Sequence, residues 1–238
     1  MPAQLKNYQV IVTGGTGELG MSIISEYLKN GAIVVTNYRN PEKWNILKDS
    51  IQETEQLVGI KADLTQEKEV EYFFQEYQKK YKRLDVLVHT IGGFWMGGEI
   101  AETPPAKWNL MQAVNLNSTF LCTRRAFQIM KAQCSGKIFT ICAQVIETFP
   151  AGMGAYTVSK AGVMALTRTL ANEGKAYHIQ VNTLLPSIID TAENRKAMPN
   201  ADFFQWVTPK EIAQLLIQLS RPESKALSHS LLKVTGKL

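Results

Sequence analysis

A tyrosine and a lysine one helical turn apart are the residues in this sequence most able to do chemistry. Tyr156 and Lys160 lie in a stretch with helical patterning, so their spacing puts the phenol and the ammonium on one face. A free phenol has a pKa of about 10, and a nearby cation lowers it by roughly 1–3 units. The pair could therefore exchange a proton with a carbonyl oxygen. Taken alone, the spacing is also typical of a surface pair.

A glycine-rich turn near the start of the chain predicts a phosphate-binding site. It follows an apolar run over 8–13 and precedes an amphipathic run over 21–30. A strand, a tight turn and a helix in that order bring backbone N–H groups and the positive end of the helix to an anion. The alternative is a tight turn that binds nothing. The residues of the turn are Gly14, Gly15, Thr16, Gly17, Glu18, Leu19 and Gly20.

Composition and charge bound the class of protein. The chain has 238 residues, 45% hydrophobic and 20% charged, which suits one α/β domain spanning residues 1–238. No run approaches the ~20 apolar residues of a membrane span, and residues 1–6 lack a signal-peptide core. We therefore expect a cytoplasmic protein without a membrane partner. The net charge of +5 comes partly from residues 79–83, a pattern typical of a solvated helix end, so nucleic-acid binding is not expected.

The three cysteines do not indicate a metal site. Cys122, Cys134 and Cys142 have no metal-ligand spacing, so no metal is predicted. Buried thiols in a reducing compartment are the expectation.

Apolar strand-like runs alternate with helical patterns along the chain. Strands are predicted over 8–13, 32–39, 56–60, 84–90, 136–142, 177–184 and 231–236. Helices are predicted over 21–30, 41–54, 66–80, 104–132 and 153–173, with caps at Thr65 and Thr208. The alternation predicts a single-domain α/β Rossmann fold, with a doubly wound seven-stranded parallel sheet and helices on both faces.

The ends of the second and third predicted strands bear on the choice of cofactor. In a Rossmann unit, an acidic residue after the second strand binds the ribose 2′-hydroxyl of NAD, but this chain has Asn37, Tyr38 and Arg39. Arg39 could pair with a 2′-phosphate, so NADP(H) is favoured and NAD(H) remains possible. The alternative for Arg39 is a solvent-facing side chain. Asp63 could accept from the adenine amino group or simply end the third strand.

The motifs occur in one order along the chain: the glycine turn, Asn115, the Tyr156 and Lys160 pair, and residues 185–191. In this order they resemble the short-chain dehydrogenase/reductase family over essentially the whole sequence. The resemblance implies that Tyr156 is the catalytic acid, that Lys160 lowers its pKa and holds the nicotinamide ribose, and that Asn115 supports a proton-relaying water. It also implies further cofactor-binding residues, which are Leu64, Gly92, Pro186, Ile189 and Thr191; the last two neighbour the nicotinamide carboxamide.

The sequence departs from the family pattern at four places. Ala143 stands where the family usually has a serine, so a donor to the substrate oxygen is missing. His89 begins a His-Thr-Ile-Gly run that replaces Asn-Asn-Ala-Gly, and we expect it to be a packed strand-end residue rather than a catalyst. Glu18 replaces a glycine of the compact members, and its side chain is expected to point outward because a carboxylate opposes a bound pyrophosphate. Ser187 replaces the glycine of the usual Pro-Gly.

Two segments resemble the dihydropteridine-reductase branch of the family. They are residues 194–206 and the aromatic loop after Gly92. That branch works without the serine, because a quinonoid substrate is already activated toward hydride. Phe94, Trp95 and Trp206 could line a substrate pocket beside Ala143, with core packing as the alternative for the two tryptophans. The basic residue after the second strand counts against a pteridine as the substrate, since dihydropteridine reductase has an acidic residue at that position.

We therefore predict a reductase that transfers hydride to a small activated carbonyl, quinone or quinonoid pterin, with Tyr156 as proton donor. Two alternatives stay open: a dinucleotide-binding sensor or scaffold with little catalysis, and a 3-oxoacyl-type ketoreductase. The expected partner is a small-molecule substrate. A homodimer or homotetramer is also expected, because relatives commonly pair the helices predicted at 104–132 and 153–173 across a two-fold axis.

Overall fold

A seven-stranded parallel sheet forms the centre of the computed structural model, which describes residues 4–51, 55–224 and 226–236. The strand order is β3-β2-β1-β4-β5-β6-β7, and every pairing is parallel. The predicted Rossmann fold is thereby confirmed. The strands are β1 (Gln9–Thr13), β2 (Ile33–Tyr38), β3 (Leu57–Lys61), β4 (Val86–His89), β5 (Gly136–Ile141), β6 (Ile179–Pro186) and β7 (Leu231–Val234).

Helices cover both faces of this sheet. In chain order they are α1 (Glu18–Lys29), α2 (Pro41–Ser50), α3 (Glu67–Lys80), α4 (Pro105–Met111), α5 (Ser118–Gln133), α6 (Val145–Thr148), α7 (Gly154–Gly174), α8 (Ala192–Ala197) and α9 (Pro209–Ser220). One apolar cluster packs α1 and α9 against one face, and a second packs α3, α5 and α7 against the other. The carboxyl ends of the strands therefore meet at one uncovered edge, where ligands of such sheets bind.

The apolar runs of the central strands explain why they are buried on both faces. In β1, Val10 and Val12 join the cluster of α1 and α9, whereas Ile11 joins the cluster of α3 and α5. Successive side chains of a strand point to opposite faces, so a strand between two helix layers needs an apolar residue at every position.

The long helix predicted over 104–132 is interrupted in the structure. A π-helical segment, Gln112–Asn117, separates α4 from α5. Just beyond it, the Ser118 hydroxyl donates to Val114 O at 2.7 Å and the Thr119 hydroxyl donates to Asn115 O at 2.6 Å. Hydroxyls that bond back to carbonyls four residues earlier compete with the amide ladder and deform helices. The periodicity of the sequence does not register such a local shift.

Several element ends also differ from the prediction. The Thr65 cap is wrong: α3 begins at Glu67, and Thr65 instead donates its N–H and its hydroxyl to Asp63. The Thr208 cap is confirmed, because its hydroxyl accepts from Glu211 N at 3.2 Å in a capping box. The helix predicted over 41–54 ends at Ser50, and residues 52–54 lie outside the described chain. The short helices α6 and α8 were not predicted.

Exposed side chains bear on two expectations. The helices expected to pair with a second copy, α4, α5 and α7, carry exposed apolar side chains, and their pairing stays a prediction. The exposed residues are Trp108, Leu110, Phe120 and Val158. The thiol of Cys134 is exposed rather than buried, whereas those of Cys122 and Cys142 are buried. Within the described ranges, no helix has the length and apolar character that crossing a bilayer requires.

Gly20 holds α1 against the glycine turn, and a larger residue there should be costly. A Cβ at position 20 would lie 2.4 Å from Gly14 O and 2.7 Å from Gly15 Cα, which are backbone atoms that cannot move aside. We expect Gly20→Ala to lower the free energy of unfolding by about 1–3 kcal/mol, measured by urea denaturation. Gly17→Ala is the matched control, because its Cβ would approach Gly14 O only to 3.5 Å. An equal loss in both variants would contradict this account.

Candidate active site

Polar side chains of β2 hold the glycine turn in place. Asn37 Oδ1 accepts from Gly14 N at 2.8 Å, and Thr36 Oγ1 accepts from Gly15 N at 3.2 Å. Gly14 has a φ of +72°, a conformation that favours glycine. Sequence reasoning missed Thr36 and Asn37 as supports of the turn. Their signal is that two adjacent polar residues follow the apolar positions of a buried strand.

The turn leaves the start of α1 open to an anion. Gly17 is the N-cap residue, it is exposed, and its surroundings would admit a Cβ without a close contact. Thr16 beside it is half-buried, and Leu19 packs against the apolar cluster of α1 and α9. Backbone N–H groups at an open helix start are a binding site for phosphate. The residues of this turn therefore fit the pyrophosphate of a dinucleotide.

Glu18 lies outward, as expected, and connects the turn to α8. Its two carboxylate oxygens accept from Ala192 N at 2.9 and 3.1 Å. Thr191 is the N-cap of α8, and its hydroxyl accepts from Asn194 N at 3.2 Å. Glu18 and Thr191 are both predicted to contact the cofactor, and they lie on either side of the contact between α1 and the start of α8. In this structure both side chains bond to α8.

The structure brings Arg39 and Asp63 together beyond the ends of β2 and β3. Arg39 Nη1 lies 3.6 Å from Asp63 Oδ2, and the arginine side chain is 72% exposed. Burial raises the pKa of Asp63, but hydrogen bonds from Thr65 and the charge of Arg39 outweigh it and lower that pKa overall. Leu64 is buried beside them. The exposed guanidinium remains within reach of an anion that binds at this edge.

Asn115 ties three parts of the site together from within the π-helical segment. Its Nδ2 donates to Gly93 O at 3.1 Å and to Ser159 Oγ at 2.9 Å, while its Oδ1 accepts from Gly93 N at 2.8 Å. A Cβ at Gly92 would lie 3.0 Å from Asn115 Oδ1 and 3.3 Å from Lys160 Nζ. Asn115, Gly92 and Lys160 are therefore neighbours in the structure.

Tyr156 and Lys160 share one face of α7, but their electrostatics differ from the prediction. Lys160 Nζ lies 5.9 Å from the Tyr156 ring centroid and donates to Ile141 O at 3.0 Å. Burial lowers the pKa of Lys160 to about 8. Burial also raises the pKa of Tyr156, and the nearby Cys142 thiol adds to that increase. The lowered pKa that the resemblance implies for Tyr156 is not seen in this structure, because burial of the phenol raises that pKa.

His89 is a packed residue at the end of β4, as predicted. Ser118 Oγ donates to Val114 O, so it accepts from His89 Nε2 at 3.2 Å. His89 Nδ1 then accepts from the Thr13 hydroxyl at 2.9 Å. Burial, with a smaller contribution from the Lys160 charge, lowers the pKa of His89 to about 3. The imidazole is therefore neutral and links β1, β4 and α5.

The aromatic residues divide between the site and the interior. Phe94 is 61% exposed, and its ring lies 5.1 Å from the Tyr156 ring in an edge-to-face arrangement. The Trp95 ring covers Gly97, where an added Cβ would lie 2.2 Å from it. Trp206 is only 7% exposed, so the core-packing alternative describes it. Phe203 is half-buried, with its ring 4.8 Å from that of Trp206.

The ends of β5 and β6 carry the remaining predicted residues at the same sheet edge. Gln144 N donates to Pro186 O at 3.3 Å, so the half-buried Ala143 adjoins the end of β6. Ile189 forms a β-bridge with Val207 and packs against the core. Ala143 and Pro186 thus lie at the carboxyl edge of the sheet, where Lys160 donates to Ile141 O at the end of β5.

Known proteins are similar to this chain over most of its length. A family model described as short chain dehydrogenase matches residues 8–202. The 3-oxoacyl-[acyl-carrier-protein] reductase FabG of Chlamydia pneumoniae is 27% identical, over 100% of this chain and 99% of that protein. The 5-keto-D-gluconate 5-reductase of Escherichia coli strain K12 is 26% identical, over 98% of this chain and 95% of its own.

A solved structure shares the whole fold. The structure of ElxO with NADP bound superimposes with a TM-score of 0.89 at 24% identity, and the match covers 96% of this chain and 97% of that one. The family model covers most of the chain, including the glycine turn, Asn115, Tyr156 and Lys160. The chain belongs to the short-chain dehydrogenase/reductase family.

Proposed function

We propose that the chain is an NADP(H)-preferring reductase that transfers hydride to a small activated carbonyl, quinone or quinonoid pterin. The observation that carries the proposal is the grouping of Tyr156, Lys160 and Asn115 beside the open glycine turn. NAD(H) is the other cofactor that the site admits. Membership of an oxidoreductase family supports the class of reaction.

The residues of the sheet edge suit a nicotinamide dinucleotide. The start of α1 would hold the pyrophosphate, Arg39 the 2′-phosphate and Lys160 the nicotinamide ribose. Bound in its reduced form, the cofactor supplies the hydride. Solved relatives of the same fold include ElxO with NADP bound and a xylitol dehydrogenase bound to NAD⁺, which supports a nicotinamide cofactor here.

The environment of Tyr156 suits a proton donor. Because burial raises its pKa, the phenol is protonated at neutral pH before the reaction. Giving its proton to the acceptor oxygen leaves a phenolate, which is costly in a buried site unless a cation is near. Lys160, with a pKa of about 8, is mostly charged at pH 7 and lies close enough to stabilise that phenolate. Tyr156 would therefore donate the proton, and Lys160 would stabilise the phenolate that remains.

Ala143 favours an acceptor that is already activated. It has no hydroxyl for the acceptor oxygen, and losing one such donor typically costs about 10²–10³ in rate. A quinone or quinonoid ring accepts hydride readily, and the exposed Phe94 ring beside Tyr156 offers it a flat partner. These features support placing the chain in the dihydropteridine-reductase-like branch.

The second candidate is a 3-oxoacyl-type ketoreductase. Two of the relatives are named as a 3-oxoacyl-[acyl-carrier-protein] reductase and a 5-keto-D-gluconate 5-reductase, and both match nearly the whole chain. An acceptor panel separates the candidates: NADPH oxidation is followed with a quinonoid dihydropterin, a simple quinone and a β-ketoester. Turnover of only the β-ketoester would favour the ketoreductase. Cofactor binding without any turnover would favour the sensor alternative.

Replacing the phenol should remove catalysis and keep cofactor binding. We expect Tyr156→Phe to lower kcat at least ~10²-fold on any panel acceptor that wild type reduces, because the proton donor is lost. The dissociation constant for NADPH, followed by fluorescence, should stay within about threefold. Tyr177→Phe makes the same chemical change far from the site and serves as control. Unchanged turnover in Tyr156→Phe would rule out the proposed mechanism.

Arg39 should determine the preference between the two cofactors. A hydrogen bond to a charged group contributes about 1.5–3 kcal/mol, so Arg39→Ala should weaken NADPH binding about 10-fold or more. NADH binding should change little, because NADH has no 2′-phosphate. Arg168→Ala, which removes an exposed arginine from α7, controls for net charge. Equal effects on both cofactors would mean that Arg39 does not bind the 2′-phosphate.

Cofactor affinity should fall as the pH rises through the pKa of Lys160. Burial lowers that pKa to about 8, so the ammonium that would hold the ribose is lost above pH 8. We expect the dissociation constant of NADH to increase between pH 7 and pH 9.5 in wild type. Lys160→Met has no charge to lose, and its weaker binding should be flat over this range. The same pH slope in both proteins would assign the titration to another group.

A further inference from the structure

Ser187 carries a buried hydroxyl that lacks a partner. Its Oγ is buried and makes no hydrogen bond with any residue that the structure describes. Most buried polar groups in native proteins are bonded, and leaving one unbonded destabilises the fold. The position usually holds glycine in the family, so this chain has gained a polar group there. An orphaned hydroxyl at a ligand-binding edge indicates a partner that arrives with the ligand.

The backbone on both sides of Ser187 is fixed. Ser187 N donates to Val234 O at 2.9 Å, which ties the residue to β7. Two residues later, Ile189 pairs with Val207 in a β-bridge. Ser187 directly follows Pro186, the last residue of β6. The hydroxyl is therefore attached to a held segment at the carboxyl edge of the sheet rather than to a free loop.

Ser187 adjoins the position where the family's hydroxyl is absent. β5 and β6 pair along their length, and beyond that pairing Cys142 N donates to Leu184 O at 2.8 Å. Gln144 N then donates to Pro186 O at 3.3 Å. Ala143 lies between these two hydrogen bonds, so its backbone faces the residues that lead into Ser187. The chain has thus lost a hydroxyl at the end of β5 and gained one at the end of the neighbouring strand.

We propose that the Ser187 hydroxyl donates the hydrogen bond to the acceptor oxygen of the substrate that Ala143 cannot donate. Ser187 then polarises that oxygen while the hydride reaches the acceptor and Tyr156 gives its proton. The inference rests on the proposed reductase function, and a Ser187 donor would extend that function from activated acceptors to less activated carbonyls. It places the acceptor oxygen of the substrate between the Tyr156 phenol and the adjacent ends of β5 and β6.

The proposal predicts opposite changes in stability and in turnover. Ser187→Ala removes an orphaned hydroxyl, so the urea midpoint of the protein without cofactor should rise. The same variant should lower kcat on a simple quinone at least ~10-fold, and on a β-ketoester by up to ~10²-fold, because the less activated oxygen gains more from a donor. The dissociation constant for NADPH, measured by fluorescence without acceptor, should stay within about twofold.

Thr157→Val is the matched control. Thr157 Oγ1 is also buried and unbonded within the described chain, but it belongs to α7 rather than to the segment that follows β6. Its removal should raise the urea midpoint in the same way and leave kcat unchanged. The rescue variant adds Ala143→Ser to Ser187→Ala. Returning the hydroxyl to the end of β5 should recover most of the lost kcat.

The outcomes separate this inference from the function on which it rests. If wild type reduces no acceptor in the panel, the proposed function fails, and the donor role of Ser187 fails with it. If wild type is active and Ser187→Ala keeps full kcat, the donor role is excluded. A weaker NADPH affinity with unchanged kcat would also overturn it, because the hydroxyl would then serve the cofactor. Failure of Ala143→Ser to recover activity would show that the two positions do not serve one oxygen.

Discussion

The buried amide of Asn115 is the interaction on which the arrangement of the site depends. Its nitrogen and oxygen bond in both directions with the backbone of Gly93, and the nitrogen also reaches Ser159. A fully buried amide must find such partners, because leaving them out costs about 1–3 kcal/mol per unbonded group. Meeting that requirement fixes the loop after β4 against α7, and α7 carries Tyr156 and Lys160.

The π-helical segment makes that interaction possible. An α-helix running straight through 104–132 would give Asn115 a different direction, and its amide would meet other neighbours. The wider turn, Gln112–Asn117, presents the side chain to the sheet edge while α4 and α5 keep their own packing. Irregular helical turns of this kind often occur at functional sites. Here the irregularity sets the position of the reactive groups rather than supplying one of them.

Charge in this site is controlled by burial more than by pairing. Lys160 is buried, its Nζ donates to Ile141 O, and no carboxylate is bonded to it in the described chain, so its pKa falls to about 8. His89 stays neutral because burial lowers its pKa to about 3. A dry site strengthens each remaining electrostatic interaction. A phenolate formed at Tyr156 would therefore gain more from one lysine here than it would in water.

Each departure from the family pattern is explained by a neighbouring residue that is distant in sequence. Ala143 and Ser187 are far apart in sequence, yet the pairing of β5 with β6 makes them neighbours. Glu18 looks unfavourable at a phosphate-binding turn until its carboxylate is seen to accept from Ala192 N at the start of α8. In both cases the partner lies on an element that follows much later in the chain.

The sequence by itself determined the fold class, the alternation of strands and helices along the chain, and the placement of Tyr156 and Lys160 on one face of a helix. Hydrophobic periodicity and glycine spacing are local properties, and local properties are what a sequence displays directly. The tertiary structure alone decided the break in the long helix, the burial of Trp206, the neutral state of His89 and the raised pKa of Tyr156. Each of these depends on desolvation or on hydrogen bonds between residues distant in sequence, which no local pattern records.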